Sequence, residues 1–404
     1  MTNKCIILGA SHAAAQLVTS LRQEGWEGEI QVISDEPYLP YHRPPLSKAF
    51  LAGDKSIDDL QIRPQSFYDK LNVRFQQGRV TQVNRVEKSL LLESGEELQF
   101  SKLALCTGAR VKKVSLPGSD LKGIHYLRNI ADVQGLQGDI GQGKRVVIIG
   151  GGYIGLEAAS AMRKLGMHAT VLERSSRILQ RVSAPELSAF YQRIHTEEGA
   201  DIRTNMSVSK FVGDSYVEKV VCEDGTEFQA DLVVIGIGVN PNVELAESAG
   251  ISVDNGILVD KHCQTNDPDI VAAGDCTRHF NEIYGRSLRL ESVPNANEQA
   301  KVAAATICGH DKEYNSLPWF WSDQYDLKLQ ISGLSEGYDQ IIVRKDPDKD
   351  RSFAAFYFKE GKLISADCIN RPQEFMLSKK IISQSLNVDP ERLENNSIPV
   401  NQLL

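Results

Sequence analysis

The first 35 residues alternate between short apolar runs and a segment of helical periodicity. Residues 5–8 are apolar, as a buried strand requires, and a turn that begins at Gly9 follows them. Apolar residues then recur at helical spacing over residues 13–21, and a second apolar run, 30–33, leads to Asp35. This order of strand, turn, helix, strand and acid is typical of a unit that binds a dinucleotide. In such a unit the helix N-terminus faces the pyrophosphate and the acid binds a ribose.

The glycine pattern of this first unit is incomplete. Ser11 and Ala14 stand where the fingerprint has its second and third glycines. Alanine at the third position still permits close packing of helix on strand, whereas Ser11 leaves less room for a pyrophosphate. Taken alone, this turn leaves the dinucleotide interpretation and an ordinary α/β turn both open.

A second unit carries the complete fingerprint. Residues 144–149 form a basic-then-apolar strand, and Gly150, Gly152 and Gly155 satisfy GxGxxG directly after it. A helical apolar face and another strand follow, and Glu173 ends that strand at about the interval the fingerprint requires, roughly 20 residues after the first glycine. The alternative, a glycine-rich turn in an unrelated α/β fold, is much less consistent with this spacing.

The acid of the second unit also indicates which nicotinamide nucleotide binds. A carboxylate at the position of Glu173 pairs with a free 2′-hydroxyl and repels a 2′-phosphate, so NADH is favoured over NADPH. The following residue, Arg174, could weaken this preference. Two units predict two dinucleotides, and transfer of a hydride from a nicotinamide to a flavin is the simplest chemistry that uses both.

The remaining chain predicts the domain organisation. Two apolar strands, in residues 103–109 and 232–242, have the character of points where the chain crosses between domains. A third ends at Gly274 and Asp275, and this aspartate either contacts a dinucleotide or caps the next helix. Later strands at residues 341–343 and 353–358, followed by a helix from Gln373 to about Ser385, predict a small α+β domain.

Composition excludes several classes of function. The chain has 404 residues, 41% of them hydrophobic, and a formal net charge of -8, which argues against nucleic acid as a partner. We find no apolar run of the roughly 18 residues that a membrane span needs. Gly9 interrupts the first apolar run too early for a signal peptide. Seven cysteines without a CxxC pair indicate a cytoplasmic chain with reduced, mostly buried thiols, without a metal site or a redox disulfide.

Specific motifs extend over nearly the whole chain. They occupy residues 25–28, 43–48, 146–157, 274–276, 291–296 and 319–325. In these stretches the chain resembles the FAD-dependent ferredoxin reductases of bacterial oxygenase systems, which belong to the glutathione-reductase-like flavoproteins. The resemblance implies an α/β fold with two Rossmann-like dinucleotide-binding domains, one for FAD and one for NAD, and a small C-terminal α+β interface domain. The implied boundaries are 1–112 with 240–317 for the FAD domain, 113–239 for the NAD domain and 318–404 for the C-terminal domain.

The resemblance also implies the residues that contact each cofactor. The expected FAD contacts are Gly9, Ala13, Asp35, Arg43, Lys48, Val80, Thr107, Arg128, Asp275 and Val293. The expected NADH contacts are Gly150, Gly152, Ile154, Gly155, Glu157, Glu173, Gly238 and Glu291. Ser11 departs from the family pattern, since many relatives have glycine there.

Three residues are predicted to be catalytic: Lys48, Glu157 and Trp321. A cation near the flavin stabilises the negative charge that develops as the flavin accepts a hydride, and Glu157 is a candidate carboxylate partner for Lys48. The alternative for Lys48 is a solvated surface lysine, although the two prolines before it fix its loop. Trp321 either shields the flavin edge and carries electrons out, or packs in the core of the third domain.

The lack of cysteine near residue 48 predicts an external electron acceptor. Disulfide reductases need a cysteine pair beside the flavin, and NADH oxidases or peroxidases need one reactive cysteine in that loop. Without either, electrons must leave singly, and the resemblance favours a [2Fe–2S] ferredoxin, with rubredoxin as the alternative. An NADH oxidase and a binding flavoprotein like the apoptosis-inducing factors are the rival functions. The candidates for a basic docking surface are Arg43, Arg63, Arg278, Arg286, Arg289 and Lys301, each of which could equally be an ordinary solvated charge.

Overall fold

The computed structural model describes residues 3–346 and 348–403, which form two compact units. Each unit is assembled from three segments of the chain. The first contains Met1–His42, Asp58–Arg110 and Asn240–Trp319, and the second contains Arg43–Ile57, Val111–Val239 and Phe320–Leu404. The division into three domains made from the sequence stays a prediction.

The strands are numbered in chain order. Those before residue 112 are β1 (Lys4–Leu8), β2 (Glu29–Ser34), β3 (Val73–Gln77), β4 (Val80–Asn84), β5 (Ser89–Leu92), β6 (Glu97–Gln99), β7 (Lys102–Leu105) and β8 (Ala109–Val111). Those between residues 124 and 241 are β9 (Ile124–Tyr126), β10 (Arg145–Ile149), β11 (His168–Leu172), β12 (Asp201–Arg203), β13 (Val208–Val212), β14 (Lys219–Cys222), β15 (Glu227–Gln229), β16 (Leu232–Ile235) and β17 (Val239–Pro241). The later ones are β18 (Ile257–Val259), β19 (Ile270–Ala272), β20 (Thr277–Asn281), β21 (Arg286–Leu288), β22 (Trp319–Gln324), β23 (Leu327–Gly333), β24 (Gln340–Lys345), β25 (Phe353–Lys359) and β26 (Lys362–Ile369).

The helices follow the same numbering. They are α1 (His12–Gln23), α2 (Gln65–Lys70), α3 (Ile130–Asp139), α4 (Tyr153–Lys164), α5 (Pro185–Glu197), α6 (Glu244–Ser248), α7 (Val293–Ile307), α8 (Pro372–Ser383) and α9 (Pro390–Glu394), with short 3₁₀ turns at Pro44–Ser47, Asp58–Leu60 and Val400–Gln402. Among the residues that the structure describes, none of these helices combines the length and the apolar character needed to cross a bilayer.

A five-stranded parallel sheet in the order β19-β7-β1-β2-β3 forms the centre of the first unit. Its central strand, β1, is apolar from Cys5 to Leu8 because both of its faces are covered. Ile7 contributes to one hydrophobic core with α1 and α7, and Ile6 contributes to a second core with β4 and β5. The parallel register brings the carboxyl ends of β1 and β2 to one edge of the sheet, where Gly9 and Asp35 follow.

The second unit repeats this architecture with the parallel sheet β12-β11-β10-β16-β9. Ile149 pairs with Leu172 and with Ile235, so the strand ends again coincide at one edge. The helix α4 begins at that edge, directly after the glycine turn. The predicted pair of Rossmann-like units is therefore confirmed.

The last part of the second unit is an antiparallel sheet in the order β22-β23-β26-β25-β24, with α8 packed against it. The side chains of Phe356, Phe358 and Ile369 are fully buried there. The strands predicted at 341–343 and 353–358 correspond to β24 and β25, and the predicted helix corresponds to α8, so the α+β assignment is confirmed.

Candidate active site

The turn after β1 brings the start of α1 to the edge of the first parallel sheet. Gly9 has a φ of +100°, and a side-chain carbon there would lie 2.2 Å from the carbonyl oxygen of Cys106. Glycine alone fits this position, because it has no Cβ and adopts positive φ without strain. The turn and the helix N-terminus that follows it form the kind of cradle that holds a diphosphate.

Ser11 takes the place of the second fingerprint glycine without distorting the turn. Its φ and ψ are -134° and -156°, an extended conformation that any L-residue adopts. Gly152, at the matching position before α4, is also extended, with φ -82° and ψ 177°. The departure at Ser11 therefore changes the side chain that faces a ligand and leaves the course of the backbone unaffected.

Several predicted FAD residues of the first unit lie around the same strand ends. Asp35 follows β2 and is exposed, and Asp275 follows β19. A side-chain carbon on Gly274 would lie 3.4 Å from Cβ of Ala13, so the strand end of β19 adjoins the first turn of α1. Thr107 exchanges two hydrogen bonds with Asn242: its hydroxyl donates to the Asn242 carbonyl at 2.7 Å and its own carbonyl accepts from the amide at 2.8 Å.

The remaining predicted residues of the first unit are more dispersed. Val80 is the first residue of β4 and is buried, and Val293 is the first residue of α7, after the N-cap Ser292. Glu291 is exposed and accepts a hydrogen bond from Arg289 at 2.6 Å. The roles of these residues stay predictions.

The glycine turn of the second unit fits a nucleotide closely. A side-chain carbon on Gly155 would lie 2.1 Å from the Gly150 carbonyl oxygen, so α4 packs here at a distance that only glycine allows. A carbon on Gly152 would meet no protein atom within 4 Å, which leaves space in front of the helix N-terminus. Glu173 lies beside this turn, because its carboxylate accepts the N–H groups of Gly151 and Ser175, each at 2.7 Å.

Two further residues assigned to NADH belong to the second unit. Ile154 lies in the first turn of α4, and 43% of it is exposed, which is unusual for an isoleucine and suits contact with a ligand. Gly238 follows β16, and its carbonyl oxygen accepts the N–H of Lys112 at 2.9 Å.

Lys48 and Glu157 form a buried ion pair in the second unit. The ammonium nitrogen of Lys48 lies 2.7 Å from Oε2 of Glu157, and the two side chains are 19% and 5% exposed. The pairing predicted for these residues is confirmed, and Lys48 is not a solvated surface lysine. The 3₁₀ turn Pro44–Ser47 places Lys48, whose ammonium also donates to the Pro44 carbonyl at 3.3 Å.

Two serines complete the surroundings of the carboxylate. The hydroxyl of Ser47 donates to Oε2 of Glu157 at 2.5 Å, and the hydroxyl of Ser322 donates to Oε1 at 2.6 Å. Glu157 therefore receives three donors, one of them charged, which is what a buried carboxylate requires. The result is an ammonium group held in a defined place by an anion that is itself held on both oxygens.

Trp321 precedes Ser322 on β22 and is partly buried. Neighbouring side chains of a strand point to opposite faces, so the indole does not share the face on which Ser322 meets Glu157. Arg43 and Arg128 lie together, since the Arg43 guanidinium donates to the Arg128 carbonyl at 2.9 Å. Contact of these three residues with a flavin stays a prediction.

Comparison with known proteins identifies the family. The pyridine nucleotide-disulphide oxidoreductase family matches residues 3–300, and the reductase C-terminal family matches residues 319–404. The chain is 42% identical to putidaredoxin reductase from Pseudomonas putida, over 99% of this chain and 96% of that protein. It is 35% identical to a rubredoxin-NAD(+) reductase from the same species, over 91% of this chain and 96% of the other. The crystal structure of the covalent putidaredoxin reductase–putidaredoxin complex superimposes with a TM-score of 0.96 at 42% identity, covering 99% and 98% of the two chains.

The chain belongs to the ferredoxin reductases of oxygenase systems. It is therefore an oxidoreductase of a family that uses FAD and NAD(P)H. The fold class, the two nucleotide-type turns and the C-terminal unit all agree with that membership.

The cysteines of this enzyme have no redox role that the structure supports. All seven are free, six are buried, and Cys308 is half-buried. Burial raises the pKa of the Cys5 thiol to about 12, so this thiol stays protonated and unreactive. The prediction of mostly buried thiols is confirmed, and their reduced state stays a prediction.

Half of the predicted basic docking residues are neutralised by neighbours. Arg278 lies 2.5 Å from Asp254, and Lys301 lies 2.6 Å from Glu298. Arg289 is paired with Glu291 in the same way. Arg63 is exposed and lies over the ring of Phe67 at 5.6 Å. Pairing with neighbouring carboxylates reduces the net charge that Arg278, Arg289 and Lys301 present, and a docking role for the six candidates stays a prediction.

Ser322 contacts the ion pair, Gln324 contacts Ser322, and His195 contacts Gln324. None of these three roles was predicted from the sequence. Ser322 and Gln324 stand two positions apart on β22, and that spacing puts both on one face of a strand. A serine and a glutamine two positions apart, in a strand that begins with three aromatic residues, is the signal that could have indicated a buried polar pair. His195 gave no such signal, because it occupies an ordinary position of α5.

Proposed function

We propose that this enzyme is a cytoplasmic NADH-dependent ferredoxin reductase that serves an oxygenase or a cytochrome P450. It would transfer a hydride from NADH to bound FAD and pass electrons singly to a [2Fe–2S] ferredoxin. The observation that supports this most directly is the buried Lys48–Glu157 pair in a segment without cysteine. A fixed cation suits a flavin that receives a hydride, and the lack of a thiol leaves an external acceptor.

The residues of the first unit fit a flavin dinucleotide. The tight turn at Gly9, the start of α1 directly after it and the exposed Asp35 match the pyrophosphate and ribose of such a ligand. We assign FAD to this turn, with Ala13, Thr107 and Asp275 as further contacts. Bound FAD supplies the exchange between a two-electron hydride donor and one-electron carriers.

Lys48 would stabilise negative charge where the hydride arrives. Its ammonium is kept in place by Glu157, and the serine hydroxyls keep the carboxylate from rotating. Preorganised charge of this kind costs nothing to reorient during the reaction, which is why it lowers the barrier. The residues we assign to NADH are Gly152, Ile154 and Glu173, around the second glycine turn.

Two similar proteins indicate the class of electron acceptor. The crystal structure compared above contains putidaredoxin reductase joined to putidaredoxin, and this chain is also similar to a rubredoxin-NAD(+) reductase. The higher identity, 42% against 35%, favours a ferredoxin. Rubredoxin is the second candidate.

Stopped-flow reduction of the purified holoenzyme tests the proposal. NADH should reduce the flavin faster than NADPH, and the reduced enzyme should then pass electrons to a [2Fe–2S] ferredoxin faster than to rubredoxin or oxygen. Lys48→Met should slow flavin reduction by about 100-fold, the usual cost of removing a group that stabilises developing charge. Lys219→Met, which breaks a surface pair with Glu227, is the matched control and should react at the wild-type rate.

Three outcomes would contradict the proposal. Oxygen or peroxide turnover faster than turnover with any carrier would identify an oxidase or peroxidase. Slow transfer to every carrier, with a long-lived complex of reduced enzyme and NAD⁺, would favour a binding flavoprotein. An unchanged rate in Lys48→Met would remove the role assigned to the ion pair.

A further inference from the structure

We propose that Tyr325, His195 and Gln324 form a one-way hydrogen-bond chain that, through Ser322, positions Glu157 and thereby Lys48. These residues would act as positioning residues, since none of them pairs with Lys48 directly. The inference rests on the function proposed above for the Lys48–Glu157 pair. It goes beyond that function by naming the residues that hold the carboxylate of Glu157 in place on the side away from Lys48.

The chain consists of four consecutive contacts inside the second unit. The hydroxyl of Tyr325 lies 3.1 Å from Nδ1 of His195, and Nε2 of His195 lies 2.8 Å from Oε1 of Gln324. Nε2 of Gln324 lies 3.1 Å from the hydroxyl oxygen of Ser322. That hydroxyl in turn lies 2.6 Å from Oε1 of Glu157.

The direction of every link follows from the carboxylate. An ionised carboxylate only accepts, so the hydroxyl of Ser322 must donate its single hydrogen to Glu157. The Ser322 oxygen can then only accept from its other neighbour, which must be the amide nitrogen of Gln324. The amide oxygen of Gln324 therefore faces His195 and requires a proton on Nε2 of that ring.

The same reasoning sets the tautomer of His195 and the orientation of Tyr325. A neutral imidazole with its proton on Nε2 presents a lone pair at Nδ1, so the hydroxyl of Tyr325 must donate to it. All four links thus donate toward Glu157. Hydrogen bonds aligned in this way polarise one another, which strengthens the last bond of the chain.

The surroundings of His195 keep it in this neutral form. The ring is fully buried, and burial lowers its pKa to about 4, while the hydrogen bond to Gln324 opposes that shift. Glu198 is the charged group that acts on the ring most strongly, and it also favours the protonated form without overcoming burial. At neutral pH the ring therefore carries one proton, and the geometry places that proton on Nε2.

The fold fixes both ends of this hydrogen-bond chain. Ser322 and Gln324 are fully buried and project from the same face of β22. Tyr325 follows the strand with a φ of +53°, an uncommon conformation for a bulky residue, and its N–H donates to the hydroxyl of Ser160 at 2.8 Å. Ser160 lies on α4, one turn after Glu157, so β22 and the turn after it attach to α4 at two neighbouring points.

The hydrogen-bond chain can orient Ser322 and Glu157 but cannot transfer a proton along its length. An amide passes a proton on only by changing to its imidic form, so Gln324 interrupts any relay between His195 and Ser322. Lys48, Glu157 and Tyr325 all line one cavity of about 710 Å³, so the ion pair meets solvent directly, without the hydrogen-bond chain. The arrangement therefore serves to fix the rotamer of Ser322 and the plane of the carboxylate.

The first test reads the tautomer and needs no electron acceptor. In the ¹⁵N spectrum of the histidine-labelled holoenzyme, the His195 signals, assigned from their loss in His195→Gln, should show Nε2 protonated and Nδ1 accepting a hydrogen bond. They should not titrate between pH 5.5 and 8. Tyr325→Phe should shift Nδ1 toward the value of an unbonded nitrogen. A proton on Nδ1 at pH 7, alone or together with one on Nε2, would reverse the link to Tyr325 and overturn the proposal.

The second test asks whether the chain acts through Glu157. Gln324→Met should slow flavin reduction at saturating NADH by three- to tenfold, with the Kd for NADH changed by less than twofold. Gln192→Met, the same substitution at an exposed position of α5, should have no effect. In a Glu157→Gln background, Gln324→Met should slow the reaction no further, because the group that it positions is already altered.

The outcomes separate this proposal from the function on which it rests. If the flavin of Glu157→Gln is reduced at the wild-type rate, the proposed role of the ion pair is wrong. The role of the hydrogen-bond chain is then wrong as well. If Glu157→Gln is slow while Gln324→Met is not, or if the two effects add, only the chain is overturned. Should Gln324→Met not fold, Tyr325→Phe, which removes one hydroxyl from the end of the chain, gives the same comparison with an expected slowing of about twofold.

Discussion

Replacing Asp367 by asparagine should stabilise the folded protein more at pH 8 than at pH 5. Asp367 lies on β26 with 1% of its surface exposed, and its carboxylate accepts the hydroxyl of Tyr357 at 2.6 Å. Burial raises its pKa from 3.8 to about 7, and the hydrogen bonds from Tyr357 and Ser183 only partly oppose that rise. Asparagine keeps the size and one acceptor oxygen but carries no charge to desolvate.

The magnitude follows from the shift in the pKa of Asp367. A rise from 3.8 to about 7 corresponds to about 4 kcal/mol, at about 1.4 kcal/mol per pH unit. Because the pKa is higher in the folded state, the stabilising contribution is complete below the unfolded pKa. It is lost as the pH rises toward the folded pKa, where the buried group ionises. Between pH 5 and pH 8 the wild type should lose about 3 kcal/mol that Asp367→Asn does not lose.

Urea unfolding of both proteins at several pH values, with FAD saturating throughout, measures this difference. Tyr357→Phe is an informative companion, because it removes a hydroxyl that favours the ionised form and should move the midpoint of the effect to higher pH. An infrared band of a protonated carboxylic acid, present at pH 5.5 and absent from Asp367→Asn, would report the same proton. A stability difference that is equal at pH 5 and pH 8 would contradict the raised pKa of Asp367 in the folded protein.

Four other substitutions test separate parts of the structure. Gly155→Ala should lower the Tm and weaken NADH binding together, because the added methyl would lie 2.1 Å from the Gly150 carbonyl oxygen. Gly152→Ala, whose methyl meets no protein atom within 4 Å, should keep the wild-type Tm and lose only NADH affinity in a fluorescence titration. Glu173→Gln should reduce the ratio of kcat/KM for NADH to that for NADPH by about tenfold, since the charge that repels a 2′-phosphate is removed. Phe356→Ala should cost about 3–5 kcal/mol in urea unfolding because the ring is fully buried, and a cost below 1 kcal/mol would contradict its place in the core.

Local signals in the sequence predicted the elements that carry the nucleotide turns. The strand predicted at residues 144–149 corresponds to β10, Arg145–Ile149, and the helix after the glycines corresponds to α4, Tyr153–Lys164. Such elements are predictable because hydrophobic periodicity and glycine positions are set by residues close together in the chain. Ser11 could be recognised as a departure, but its consequence depended on a backbone conformation that only the structure supplies.

The charged surface illustrates what the sequence could not decide. Arg278 and Lys301 are basic residues of the kind that a docking surface for an acidic protein contains. Whether each charge is free depends on its neighbours in space. Asp254, which pairs with Arg278, is 24 positions away along the chain. Pairing of this kind is set by strand register and loop course, and a count of basic residues does not contain it.

The amino-acid sequence was sufficient to predict the succession of strands, turns and helices, the two nucleotide-type turns and the lack of a cysteine near Lys48. Those properties reside in neighbouring residues, whose spacing and conformational preferences act locally. The tertiary structure alone decided that Ser322, 165 positions from Glu157, would donate to its carboxylate, and that His195 would be buried against Gln324. A buried polar group must find its partner wherever the packing of distant elements brings one, and the local pattern of the chain carries no record of that partner.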